Sequence, residues 1–296
     1  MGLKIFLSFM FCVGILAVYW FIPFGTIEFG TKSNDFNLIN QSGDMQFYQN
    51  MRYSDSKISY RIFDCPLQKK NDMEEAFRMI SDLSILDFYP INSNEEISVT
   101  CDSKNKLEGG LFIAGEGGPE NITKGDKFNV ILKGKILLIR DSNCENPNIA
   151  LHELLHALGF NHSENSNNIM YPISKCKQTI GEEIFILLNE LYSIPSQSDL
   201  TLENVSASMR GKYLDVNMSI KNNGLRDSEE SKISIYADES FVKEIKLDAL
   251  EIGYGRIISL NNLWIGQINV NKLDFVIDYN LPELEKNNNR ISLEVN

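Results

Sequence analysis

The chain predicts two domains of different class behind an apolar N-terminal segment: an α+β domain over residues 51–196, then an all-β immunoglobulin-like sandwich over 200–296. Three observations carry this. Up to Pro195, short extended runs alternate with stretches whose apolar residues recur at helical spacing. From Leu200 onward the period changes to two, with about seven short strand-like runs in under a hundred residues. Ahead of both, Ile5 to Phe24 is almost unbroken apolar sequence.

A length of 296 residues suits about two domains with accessory segments, and 43% hydrophobic content allows each a sizeable core. The net charge of −12 argues against nucleic acid, whose phosphates such a surface repels. The Ile5–Phe24 run is long enough for a helix to cross a bilayer. Lys4 on one flank and Tyr19-Trp20 near the other suit a positive-inside orientation with an interfacial aromatic belt. A cleaved signal peptide is the alternative, but no small-x-small cleavage site follows the run. Residues 1–27 are therefore expected as a transmembrane anchor and 28–50, rich in Gly, Ser, Asn and Asp, as a stalk, with the rest outside the cytoplasm. The cysteines agree. Cys12 falls in the apolar run, leaving Cys65, Cys101, Cys144 and Cys176, an even number in an exported segment. Four allow three connectivities. Cys65–Cys101 with Cys144–Cys176 is favoured because each pair brackets one local unit, and no C-x-x-C spacing suggests a cysteine metal site.

The α+β domain opens with Lys57–Phe63, whose alternation predicts a strand. Asn71 and Glu74 have the spacing of a capping pair, ahead of a helix presenting Ala76, Phe77, Ile80 and Leu83 on one face and ending before Pro90. Ile97–Thr100 and Leu111–Gly115 are short strands, and the fully apolar Ile136–Ile139 is a central, buried one. Next come the chain's only three histidines. His152 and His156, four apart, share one face of a helix and so can share one metal ion. Glu153 stands beside the first. Gly159 permits the left-handed turn that ends a helix and swings His162 back as a third nitrogen ligand, leaving a fourth position for water. Surface histidines on an amphipathic helix, or a purely structural metal, require neither Glu153 nor Gly159 at these spacings. Thr179-Ile180-Gly181-Glu182 has the form of a capping box opening a helix with Ile180, Ile184, Leu187, Leu188 and Leu191 inward, and Ser193–Ser198 reads as a linker.

The run His152-Glu153-x-x-His156-x-x-Gly159-x-x-His162, followed by Met170 in Ile169-Met170-Tyr171-Pro172, resembles the metzincin metallopeptidases, and most closely their matrixin branch. That resemblance implies a twisted mixed β-sheet with about three helices, one catalytic Zn2+ on His152, His156 and His162, and Glu153 as general base. It implies that Met170 forms an apolar floor beneath the imidazoles. It also implies that the strand around Leu111–Gly115 is a sheet edge on which extended substrate lies, with Ala114, Gly115, Tyr171 and Pro172 as substrate contacts. Tyr171 could equally do no more than support the turn. Where matrixins continue Pro-x-Tyr, this chain has Pro172-Ile173-Ser174, so side-chain preference is not carried over. The short, cysteine-free stretch 25–50 has no room for a latency pro-segment.

In the C-terminal region, strands are expected at Leu200–Ala207, Tyr213–Ile220, Lys232–Tyr236, Phe241–Ile245, Arg256–Leu260, Leu273–Asp278 and Ile291–Val295. Lys221-Asn222-Asn223-Gly224, Ile277-Asp278 and Glu283–Asn288 give this region a resemblance to the cell-adhesion-related domain CARDB. A calcium site at Asp278, Glu283 and Glu285 is one reading of its acidic residues; turn-shaping asparagines are the other. The combined expectation is a membrane-tethered zinc endopeptidase acting on peptide or protein substrates, with a surface-protein partner for the sandwich. The alternative is an inactive adhesion protein on a peptidase scaffold. Degenerate peptidases usually lose the glutamate or a ligand; here all four residues remain.

Overall fold

The computed structural model describes residues 27–31, 45–103, 106–108, 111–141 and 144–295. The apolar run Ile5–Phe24 and most of the expected stalk lie outside them. Among the described residues no helix is long and apolar enough to cross a membrane.

The first domain is α+β. Its sheet runs β2 (Met51–Tyr53), β9 (Asn129–Leu138), β5 (Ile97–Cys101), β3 (Lys57–Ile62), β4 (Asp87–Pro90), all parallel, with β8 (Gly115–Lys124) antiparallel along β9. β2 pairs with the start of β9 and β5 with its end, so the two share one side and leave the other to β8. The expected mixed sheet is therefore present, with β9 central because Val130, Ile131, Ile136 and Leu138 fill the core from it. Parallel strands need a crossover, and α1 (Leu67–Leu83) supplies the one between β3 and β4. α2 (Asn148–Ala157) and α3 (Glu182–Ser193) complete the three helices.

Several details differ from expectation. α1 starts directly behind Pro66, a residue whose fixed φ suits a helix start, so Asn71 lies inside the helix and caps nothing. Its buried face is Met73, Ala76, Phe77 and Ile80, while Leu83 is 53% exposed. α3 starts at Glu182 with Gly181 as its cap and no side-chain cap bond. Thr179 instead pairs through its backbone with Asn167 and Ile169, holding the segment ahead of Met170. The expected substrate strand splits: β7 (Leu111–Ile113) forms a separate hairpin with β6 (Lys106–Glu108), and the sheet edge is β8. The stalk loses both of its ends. Met45 and Phe47 are hydrogen-bonded through their backbones to Asn161 and Gly159, and β1 (Ile27–Thr31) is a strand of the second domain. Both favoured disulfides, Cys65–Cys101 and Cys144–Cys176, are formed.

The second domain is the expected sandwich. β10 (Leu200–Arg210), β11 (Tyr213–Asn222) and β14 (Gly255–Trp264) make one sheet, and β13 (Ser240–Leu247), β12 (Ser231–Ala237), β15 (Lys272–Asp278) and β16 (Arg290–Val295) the other. β1 joins them as an eighth strand, pairing first with β10 (Ile27 opposite Met209) and then with β16 (Phe29 opposite Val295). Alternate residues such as Leu214, Val216, Met218 and Ile220 of β11 face the common core.

The domains meet at the β8–β9 turn. Phe128 and Val130 pack on Leu225, and Lys127 Nζ lies 2.8 Å from the fully buried Asp199 carboxylate and 2.7 Å from Glu285. This overturns the calcium reading. Glu285 is committed to Lys127, Glu283 accepts from the backbone N–H of Leu200 and from Asn289, and Asp278 accepts from Ser234. Three carboxylates so engaged do not converge on one point.

Candidate metal centre

α2 is buried nearly all round, with Ile149 alone of its residues left partly exposed, and its polar residues Asn148, His152, Glu153 and His156 therefore need partners. Asn148 Nδ2 anchors its start to the Lys175 carbonyl at 2.7 Å, and the buried Tyr53 hydroxyl donates to the Ala157 carbonyl at 3.1 Å. Its end is a Schellman turn: Phe160 N–H reaches back to the Leu155 carbonyl and Gly159 N–H to that of His156. Gly159 carries φ +96°, and a Cβ there would meet Met51 Sδ at 2.6 Å, so conformation and space both require glycine. The chain then doubles back, held by Asn161 N–H on the Met45 carbonyl.

The reversal brings the three expected ligands together. His156 Nε2 is 3.0 Å from His152 Nε2 and 3.1 Å from His162 Nε2, and all three ligand atoms lie within 4.8 Å of one another. His152 Nδ1 donates to the Ile169 carbonyl at 2.7 Å, and His156 Nδ1 to that of Phe160 at 2.8 Å. With those protons on Nδ1, both Nε2 atoms point bare lone pairs at each other, an arrangement that repels unless a cation lies between. Ligands about 2.0 Å from a tetrahedral zinc stand roughly 3.3 Å apart. The donor set therefore fits zinc. Burial keeps the rings neutral: it lowers the His152 and His162 pKa values, and it takes His156 to about 3, with His152 as the second cause.

Glu153 is 6% exposed, and burial first, then the Glu116 carboxylate, pushes its pKa up to about 8; the Gly117 N–H, donating to its carboxylate, acts the other way. Here β8 runs against α2 without side chains in between. A Cβ on Gly115 would lie 2.7–2.9 Å from the Glu153 side chain, and one on Gly117 only 2.2 Å from the Glu153 carbonyl. The glycines of β8 let the sheet edge touch the helix at the one residue expected to handle protons.

Glu153 and the three histidines line a cleft of about 780 Å³, together with Ala114, Gly115 and Pro172. Ile149, Ile173 and Arg140 also face it. Tyr171 is not among its lining residues; its ring lies 5.8 Å from the Lys175 ammonium, consistent with a supporting place in the turn. Met170 is buried in the domain core, and its carbonyl accepts from Ser163 N–H, which steadies the chain beside His162. Two contributors carried no side-chain pattern in the sequence. Phe47, from the expected stalk, stacks on His156 with ring centroids 5.7 Å apart, and Gly117 acts through its backbone.

An α+β domain with a histidine-lined cleft beside β8, joined to an all-β sandwich, defines a two-domain class of protein with a candidate metal site. The particular relationship follows from the family comparisons: residues 52–184 match the matrixin family model, and residues 197–293 match the CARDB model. A solved CARDB domain from Pyrococcus furiosus, in complex with di-metal ions, is similar at 17% identity and a TM-score of 0.28, covering 33% of this chain and 88% of that one. No curated protein matches.

Proposed function

We propose that this protein is a membrane-tethered, extracellular zinc endopeptidase. The observation that carries the reading is the convergence of three neutral imidazole nitrogens, two of them with Nδ1 tied to backbone carbonyls, beside a buried carboxylate in an open cleft. Zinc, when bound by His152, His156 and His162, supplies a Lewis acid that polarises a carbonyl and acidifies water. Glu153 takes a proton from the attacking water and returns it to the leaving amine, and its carboxylate is aimed by the Gly117 N–H. An extended peptide adds along the edge of β8 that carries no strand among the described residues, past Ala114 and Gly115, with Pro172 across the cleft. Met170 serves as the apolar floor of the site. The Ile5–Phe24 run is the anchor, and the sandwich positions the enzyme or a surface-protein partner.

The test incubates the purified protein with a diverse peptide mixture, with and without chelator, and maps the cuts by mass spectrometry. Chelator-sensitive internal cleavage, lost in Glu153→Ala, is the expected result. Tight zinc binding with no cleavage of any peptide would leave the chain as an adhesion protein on a peptidase scaffold.

A further inference from the structure

The two ends of the sandwich have different surroundings. One end meets the peptidase domain through Leu225, Asp199 and Glu285. Strand register gathers several segments at the other. Ile27, where β1 begins, lies opposite Met209, next to the Arg210–Tyr213 turn of β10 and β11. Tyr213 lies opposite Trp264 at the end of β14, and Ile265 N–H bonds the Lys212 carbonyl. On the second sheet, β16 ends and β15 begins at this same end, with Ala237 opposite Leu273 and Phe241 just past the turn.

This tip is unusually apolar for a surface. Trp264 is 63% exposed, Phe241 61%, Tyr213 50% and Ile268 37%. Arg210 and Lys212 stand exposed between them. Of its acids, Asp215 is held by Arg210 and the Asn262 N–H, and Asp238 by the N–H groups of Asn271 and Lys272, while Glu239 and Glu294 stand exposed at its second-sheet side. Only Gly25 and Thr26 separate Ile27 from Phe24, the last residue of the apolar run. The three chain steps from Phe24 to Ile27 span about 11 Å at most.

We propose that this tip of the sandwich rests on the lipid bilayer, with Trp264, Tyr213, Phe241 and Ile268 in the interfacial layer and Arg210 and Lys212 at the level of the phosphates. The proposal rests on the anchor reading given above. On that reading, an apolar run that ends at Phe24, so close in sequence to β1, leaves the tip no room to stand clear of the membrane. Tryptophan and tyrosine, with an apolar body and a polar edge, suit that boundary, and long basic side chains reach its phosphates. β10 then acts as a rigid post of eleven residues, about 35 Å long, between bilayer and peptidase. The sandwich, rather than a flexible stalk, sets the height of the cleft.

The chain has two tryptophans, Trp20 and Trp264, so Trp20→Phe leaves Trp264 as the sole reporter. The full-length Trp20→Phe protein is reconstituted into phosphatidylcholine vesicles with and without lipid brominated on acyl carbons near the headgroup. The expected result is a blue-shifted Trp264 emission quenched about two-fold or more by bromine. Emission typical of water and indifferent to bromine overturns the proposal. So does shielding of Trp264 from acrylamide that grows with protein density, since a second copy of the chain would then cover the tip. An alkaline carbonate wash separates the two readings. Release from the vesicles removes the anchor and the proposal together, whereas retention with an unquenched Trp264 removes the proposal alone.

Discussion

Two buried polar clusters, one at the domain junction and one at the metal centre, were built by opposite rules. At the domain junction, Lys127 is met by Asp199 and Glu285; burial acts to lower its pKa, but the two hydrogen-bonded carboxylates outweigh that and hold it raised. Every charge there has an opposite within hydrogen-bond reach. At the metal centre, Glu153 has a second carboxylate and an amide for neighbours, and three neutral imidazoles face one another. Paired charges lock two surfaces together. Groups left without a counter-charge await one, and a divalent cation supplies it.

The sharpest way to break that contrast is to remove Glu153. Glu153→Ala is expected to lower peptide cleavage by about 10³-fold or more while zinc content, read by elemental analysis, stays at one per chain. The matching change at the junction should have the opposite profile. Asp199→Ala leaves the Lys127 ammonium half-satisfied in a buried seam and should lower stability by about 3 kcal/mol in urea denaturation, with cleavage per folded molecule retained. A loss of activity without a loss of stability would mean the junction belongs to the chemistry.

A finer probe is Gly115→Ala. The three atoms nearest the added methyl all belong to the Glu153 side chain, so it should displace the carboxylate and lower kcat by about 10²-fold, with zinc affinity and melting temperature little changed. In a Glu153→Ala background the same change should have almost no further effect. The smallest expected effect is on pH-dependent stability of the metal-free protein. Glu153 is raised from 4.5 to about 8, so the folded form holds a proton that the unfolded form has released, and its contribution is lost as pH rises through that window. His156, lowered from 6.5 to about 3, works in reverse: its contribution is lost as pH falls below 6.5. Glu153→Gln should therefore flatten the decline of melting temperature across the whole window from about pH 4.5 to 8, leaving the His156 loss below pH 6.5 as the remaining slope.

The same contrast explains what could be seen in the chain beforehand. His152, Glu153, His156, Gly159 and His162 were legible because helix geometry converts their spacing into a place in space, and because only glycine accepts the conformation at 159. The sandwich strands were legible because burial on one face imposes alternation. β2 and β4, three and four residues long, carry too few positions to show any period and exist because β9 and β3 offer parallel partners. Thr179 and Asn71 have the composition of caps, yet the sheet-like pairing of Thr179 and the proline start of α1 prevail. The eighth strand could not be read at all, since its five residues pair with β10 across about 180 residues of sequence and with β16 across more than 260. Gly117 was invisible for a different reason: its contribution is a backbone N–H, which every residue but proline carries, and only the fold shows that a side chain there would strike the Glu153 carbonyl.

Zinc K-edge absorption spectroscopy on the purified, untagged chain tests the central claim most directly. The account predicts one zinc per chain with three nitrogen neighbours at about 2.0 Å and one further light atom, and no sulfur. Folded protein without stoichiometric zinc, or a first shell containing sulfur or lacking the third imidazole, would contradict it.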